Sequence, residues 1–98
     1  MKGPLALVTG ATAGIGAAVA RKLAENGYRL ILTGRRLERL QLLSERLHQQ
    51  HGVAVLPLCF DVRDRAAAQQ ALLGLGAEWT AIDVLVNNAG LSQGLEPV

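Results

Sequence analysis

Four apolar runs of strand length, separated by longer segments of helical period, leave this chain little choice of architecture. Leu5-Ala6-Leu7-Val8-Thr9 is a continuous apolar run closed by Gly10, the pattern of a strand buried on both faces. From Ile15 to Asn26, residues Ile15, Val19 and Leu23 recur at helical spacing, and Gly27 stands where a left-handed residue ends a helix. The other face of that helix carries Ala17, Ala18, Ala20 and Ala24, small enough to lie close against a sheet. Arg29 to Thr33 reads as a second strand. Leu37, Leu40, Leu43 and Leu47 then mark a second helix ending near Gly52, with Glu38, Arg39 and Glu45 turned outward. Val53 to Phe60 is a third strand, in which Pro57 predicts an edge position or a bulge. Asp64 suits the N-cap of a third helix running to about Gly76, and Ile82 to Val86 is a fourth strand. This alternation predicts a parallel sheet with right-handed crossovers, the βαβαβαβ portion of an α/β, Rossmann-type doubly wound fold.

Composition narrows the function. Half of the 98 residues are hydrophobic and 18% are charged, which is globular rather than disordered material. The apolar content is aliphatic, with one Phe, one Tyr and one Trp, too few for a nucleic-acid reader built on stacking aromatics. A net charge of +2 suits a phosphate ligand but is no electrostatic footprint for DNA. The single cysteine makes no internal disulfide, which points to a reducing cytoplasm. The stretch from Leu5 to Val8 is too short for a signal-peptide core or a membrane span, so neither nucleic acid nor membrane is an expected partner.

The chemistry begins at Thr9-Gly10-Ala11-Thr12-Ala13-Gly14-Ile15-Gly16, at the end of the first strand and the opening of the first helix. Gly10 permits the tight turn, Gly14 lets backbone approach a pyrophosphate, and Gly16 lets helix and strand pack closely. A bare chain reversal needs one glycine rather than three at these offsets. The free amides and positive dipole end of the helix then face the phosphates. The spacing is not that of a P-loop, because no Gly-Lys-Ser/Thr follows.

Arg35 and Arg36 follow the second strand, about 20 residues beyond the glycines, where an acid would hold the ribose 2′-hydroxyl of NAD. Thr33-Gly34-Arg35-Arg36 contains no carboxylate. A small residue followed by guanidinium donors accommodates a 2′-phosphate, so the expected cofactor is NADP(H). Two solvated arginines at a helix start would instead oppose the helix dipole, a local misfit that favours a functional role.

With these residues in place, the chain resembles the short-chain dehydrogenase/reductase family along its whole length. Thr9 to Gly16 is similar to the family's Thr-Gly-x-x-x-Gly-x-Gly turn, which implies cofactor contacts at Gly10, Thr12, Gly14, Ile15 and Gly16. Asp61-Val62 resembles the family's segment after the third strand, whose aspartate meets the adenine amino group; a turn cap is the other reading of Asp61. Asn87-Asn88-Ala89-Gly90 resembles the segment that holds the central sheet and passes beside the cofactor ribose, implying contacts at Asn87, Ala89 and Gly90. Asn87 and Asn88 also suit buried backbone groups at a strand end. Thr33-Gly34-Arg35-Arg36, Asp61-Val62-Arg63 and Ala77-Glu78-Trp79 further resemble a subgroup of NADP-dependent 3-hydroxy acid dehydrogenases that act on serine and allo-threonine. Many NADP-preferring members carry a basic residue just before the second glycine. Here that position is Ala13, so the preference rests on Arg35 and Arg36.

The family's catalytic tyrosine stands four residues before a lysine, and this chain has no such pair. Its one tyrosine, Tyr28, opens the second strand at the end opposite the cofactor and reads as structural. No catalytic residue is therefore expected within residues 1–98, which read as the N-terminal dinucleotide-binding part of a single domain whose catalytic half is absent. The full-length protein is expected to be a cytoplasmic homo-oligomer acting on a small-molecule substrate. The alternative is a non-catalytic nucleotide-binding module or a truncated partner subunit. A methyltransferase is disfavoured, because arginines replace the ribose-binding acid such a site uses. His48 and His51 flank a helix end without metal-ligand spacing, so no metal is expected. Cys59 reads as a small buried hydrophobe, and Trp79 as a packing residue.

Overall fold

The computed structural model describes residues 3–11, 14–61 and 63–87. β1 (Leu5–Thr9), β2 (Arg29–Gly34), β3 (Val55–Cys59) and β4 (Val84–Asn87) form one parallel sheet in the order β3-β2-β1-β4. They alternate with α1 (Gly14–Glu25), α2 (Leu37–His51) and α3 (Arg65–Leu73), and a 3-10 turn, Ala77–Trp79, precedes β4. The expected α/β alternation is present.

The sheet is central because β1 and β2 are apolar on both faces. Ala6, Val8, Leu30 and Leu32 meet Ala20 and Ala24 of α1 and Leu40 and Leu47 of α2 on one side. Leu5, Leu7 and Ile31 face the other side, where Leu75, Trp79 and Ile82, after α3, pack against them. Pro57 sits in the edge strand β3, as its missing amide requires, in register with Leu32. β4 forms the other edge, and its Leu85 is 63% exposed.

The small-residue face of α1 lies against the sheet as expected, through Ala20 and Ala24 although Ala18 is exposed, and one expectation about helix length is corrected. The buried stripe of α1 is Gly16, Ala20 and Ala24, whereas Ile15 is 64% exposed and Val19 and Leu23 are half-buried. A helix lying directly on a sheet selects its smallest face for the contact, so the alanines, not the larger residues, turn inward. α3 stops at Leu73, short of Gly76, because Gly74 takes the C-cap position. α2 ends as expected at Gly52, in the left-handed conformation with φ 69°.

Side chains distant in sequence close the amino-terminal edge. The Leu5 amide donates to Asp83 Oδ2 at 2.9 Å, and the Asp83 amide donates to the Leu5 carbonyl at 2.8 Å. Arg29 donates to the carbonyls of Gly3 and Glu78 and stands over the Trp79 ring, pinning the 3-10 turn. Leu5 is fully buried, so Asp83→Ala leaves its amide without a partner. Loss of about 1–2 kcal/mol in urea unfolding is expected, with Asp83→Asn losing less because it keeps an acceptor.

Candidate functional site

Parallel strands finish at the same edge, so the carboxyl ends of β1 to β4 gather Gly10, Arg35, Asp61 and Asn87 on one rim. In doubly wound sheets a ligand crevice opens at this rim where the strand order reverses, which here is at β1, between β2 and β4.

At the end of β1 the backbone turns with φ 62° at Gly10 and φ 21° at Gly14. A Cβ on Gly14 would meet nothing within 4 Å, so protein packing does not demand a glycine there. The left-handed backbone and the open space above it do. Gly16 is buried at the start of α1, and exposed Ile15 stands beside the turn rather than in the core. The first turn of α1 contains no acid, leaving its positive end uncompensated by its own side chains. The Ala11 amide donates to the Thr33 carbonyl at 2.9 Å, which ties the glycine turn to the end of β2.

Thr33 is almost fully buried, and its hydroxyl has no hydrogen-bond partner among the described residues. Gly34 is buried behind it, and both Arg35 and Arg36 emerge into solvent. Arg36 occupies the N-cap position of α2 and makes no side-chain cap bond. A groove of about 460 Å³ lies there, lined by Arg36, Leu37, Glu38 and Arg39.

Asp61, at the end of β3, organises the neighbouring turn. Its Oδ1 accepts from the Arg63 amide at 2.9 Å and Arg63 Nε at 3.3 Å, and its Oδ2 accepts from Arg63 Nη2 at 3.1 Å. Arg35 Nη1 is 3.8 Å from the same Oδ2. The carboxylate thus caps its own turn while standing between two guanidinium groups. Hydrogen bonds from the Arg63 side chain and backbone hold its pKa below the ordinary 3.8, and Arg35 adds to the same direction. A depressed carboxylate stabilises the fold fully above its unfolded value and loses that contribution as acid protonates it. The chain and its Asp61→Asn variant should therefore differ in thermal midpoint at neutral pH and converge as pH falls below 3.8.

Asn87 faces Thr9 across the β1–β4 pair, with Thr9 Oγ1 3.2 Å from Asn87 Oδ1 and 3.4 Å from the Val86 carbonyl. It therefore fastens the end of the sheet, one of the two roles expected of it. Gly10, Gly14, Ile15, Gly16, Arg35, Arg36, Asp61 and Asn87 all belong to this rim. Thr12, Val62, Ala89 and Gly90 lie outside the described residues.

Sequence reasoning did not single out Arg63 as a partner of Asp61. The signal was there: an aspartate two residues before an arginine at a strand end is the pattern of a side-chain-capped turn. The expectation for Cys59 is corrected. It is exposed, because it closes an edge strand, and its Sγ lies 3.7 Å from the Arg35 carbonyl. Tyr28 and Trp79 pack against the two core clusters, and His48 Nδ1 is 3.0 Å from the Val53 carbonyl. A second groove, of about 360 Å³, runs between α2 and β3 and is lined by Gln41, Glu45, His48 and Pro57 among others. Among the described residues, no cluster of His, Cys, Asp and Glu is arranged to hold a metal, and no helix is long and apolar enough to cross a membrane.

Residues 4–98 match the family model described as short chain dehydrogenase. The chain is 55% identical over 93 residues to an NADP-dependent 3-hydroxy acid dehydrogenase of Salmonella typhi, covering 95% of this chain and 36% of that protein. It thus spans about 36% of the length of that relative. Among solved structures, an alcohol dehydrogenase from Thermococcus sibiricus complexed with 5-hydroxy-NADP superposes with a TM-score of 0.80 at 33% identity, covering 86% of this chain and 36% of that one. Serine dehydrogenase from Escherichia coli gives a TM-score of 0.75 at 46% identity, with 83% and 36% covered.

Proposed function

This chain belongs to the short-chain dehydrogenase family, and on that premise we propose that it is the NADP(H)-binding half of an oxidoreductase acting on a hydroxyl/carbonyl pair. The observation that carries the reading is the end of β2, where Arg35 and Arg36 stand exposed in the place of a ribose-binding acid. Guanidinium groups donate hydrogen bonds to a 2′-phosphate, whereas a carboxylate there would repel it.

The residues on the rim suit that cofactor. The open space over Gly14 admits a pyrophosphate, and the acid-free first turn of α1 favours its charge. The buried Thr33 hydroxyl, unpartnered among the described residues, supplies a polar atom in β2 close to where the arginines follow it. Gly10, Thr12, Gly14, Ile15 and Gly16 are assigned to the phosphates, and Arg35 and Arg36 to the 2′-phosphate. Asp61 and Val62 are assigned to the adenine, and Asn87, Ala89 and Gly90 to the ribose. When bound, the nicotinamide supplies the hydride chemistry. The residues of this chain bind and orient, and acid/base catalysis belongs to residues outside it. The proposed substrate class is short 3-hydroxy acids, supported by the likeness to the 3-hydroxy acid and serine dehydrogenases. Residues 1–98 then form part of a single nucleotide-binding domain in a longer, cytoplasmic, homo-oligomeric protein.

The test combines the intact mass of the protein from its native source with an assay of NADP-dependent serine oxidation. A mass well above 10.4 kDa with activity supports the reading. A mass of 10.4 kDa without activity replaces it with a nucleotide-binding module.

A further inference from the structure

Two arginines, Arg35 and Arg63, meet one carboxylate, Asp61, where β2 and β3 end, and the partners are unequal. Arg63 grips both oxygens of Asp61 and adds its backbone amide, at 2.9 to 3.3 Å. Arg35 reaches only Oδ2, at 3.8 Å, beyond hydrogen-bond distance. Arg63 therefore occupies the carboxylate, and Arg35 stays close to it without being bound by it. The two arginine side chains are 62% and 66% exposed, so neither is held by packing and their positions are set by charge.

Resting on the cofactor reading above, we propose that Arg63 is a positioning residue for 2′-phosphate selectivity, acting through Asp61. It neutralises a carboxylate that would otherwise capture Arg35 and set an uncompensated negative charge beside the phosphate. With Arg63 present, Arg35, Arg36, Arg63 and Asp61 sum to a clear positive excess. Without it, the carboxylate competes with the phosphate for Arg35. The adenosine and pyrophosphate parts of NADH and NADPH are identical, so only the phosphorylated cofactor registers this change. A side chain that merely shaped the turn would alter both cofactors alike.

The experiment is equilibrium titration of this chain with NADPH and with NADH, in four forms: unchanged, Arg63→Gln, Asp61→Asn and the double variant. Arg63→Gln keeps the backbone amide that donates to Asp61 and removes only an exposed side chain. It is expected to weaken NADPH binding about 3- to 10-fold and leave NADH binding unchanged. Arg63→Lys should recover part of the loss, since it restores the charge without the bidentate geometry. In the Asp61→Asn background the Arg63→Gln effect on the NADPH/NADH ratio should vanish, because the charge to be neutralised is gone. Equal weakening of both cofactors by Arg63→Gln overturns the proposal, as does no effect on either. A ratio change that persists in the Asp61→Asn background also overturns it, because Arg63 would then act on the phosphate directly. An Arg35→Ala control separates the two levels of inference. A ratio shifted by Arg35→Ala but not by Arg63→Gln sinks this proposal alone. A ratio insensitive to Arg35→Ala sinks the cofactor reading beneath it.

Discussion

Substitution of Arg35 by alanine is expected to weaken NADPH binding by roughly 10- to 100-fold while leaving NADH binding within about twofold. The side chain is 66% exposed, so its removal opens no cavity and the sheet behind it is undisturbed. What is lost is a charge-assisted hydrogen bond to a phosphate, an interaction typically contributing about 1.5–3 kcal/mol. NADH carries a hydroxyl at that position and has no such bond to lose. Arg36, next to it at the uncapped start of α2, should give a loss in the same direction. Removing both arginines should bring the two cofactors to comparable affinity. The check is fluorescence titration of each reduced cofactor, and equal losses for the two would remove the basis of the assignment.

Gly14→Val should be more severe and indiscriminate, with binding of both cofactors falling by about 100-fold or more. Two causes act together. The backbone φ of 21° lies in a region that L side chains rarely adopt, and a β-branched residue there carries strain of about 1–2 kcal/mol. The added methyl groups also fill the open space over the turn that a pyrophosphate would occupy. The fold should survive, because that space contains no protein atom within 4 Å of the new Cβ and Gly14 is exposed. Gly14→Ala should fall between the two. Circular dichroism of the valine variant should match the unchanged chain. Retained binding in a folded valine variant would show that no phosphate approaches this turn.

Much of this organisation is legible in the amino-acid sequence, for identifiable reasons. β1 and β2 are buried on both faces, and that burial writes itself as unbroken apolar runs at 5–8 and 30–32. Pro57 announces an edge strand by lacking an amide, and Gly52 announces a helix end by accepting a left-handed backbone. The glycine turn and the arginines after β2 are local signals, because each depends on backbone geometry or charge within a few residues.

What was misread depends on distance between elements. Ala18 stands with Ala20 and Ala24 on the small face of α1, yet only Gly16, Ala20 and Ala24 turn fully inward, because the line of closest approach to the sheet leaves Ala18 exposed. The apolar neighbours of Cys59 suggest burial, yet its place at the end of an edge strand exposes it. Asp83 and Arg29 hold the amino-terminal edge through partners far along the chain, and no local pattern marks such pairs. Arg63 is intermediate. Its bond to Asp61 spans two residues and was readable, but its standing beside Arg35 requires β2 and β3 to be neighbours.

The most direct test of the account is to map where the nucleotide sits. Amide chemical-shift perturbation by 2′,5′-ADP, which carries the adenosine with its 2′- and 5′-phosphates, locates that end of the cofactor residue by residue. The largest shifts are expected at Gly34, Arg35, Arg36 and Asp61, weaker ones at Gly10 and Gly14, and little change with 5′-AMP at the arginines. Shifts centred on Gln41, Glu45 and His48 in the groove between α2 and β3, or at the amino-terminal edge near Asp83, would contradict the account.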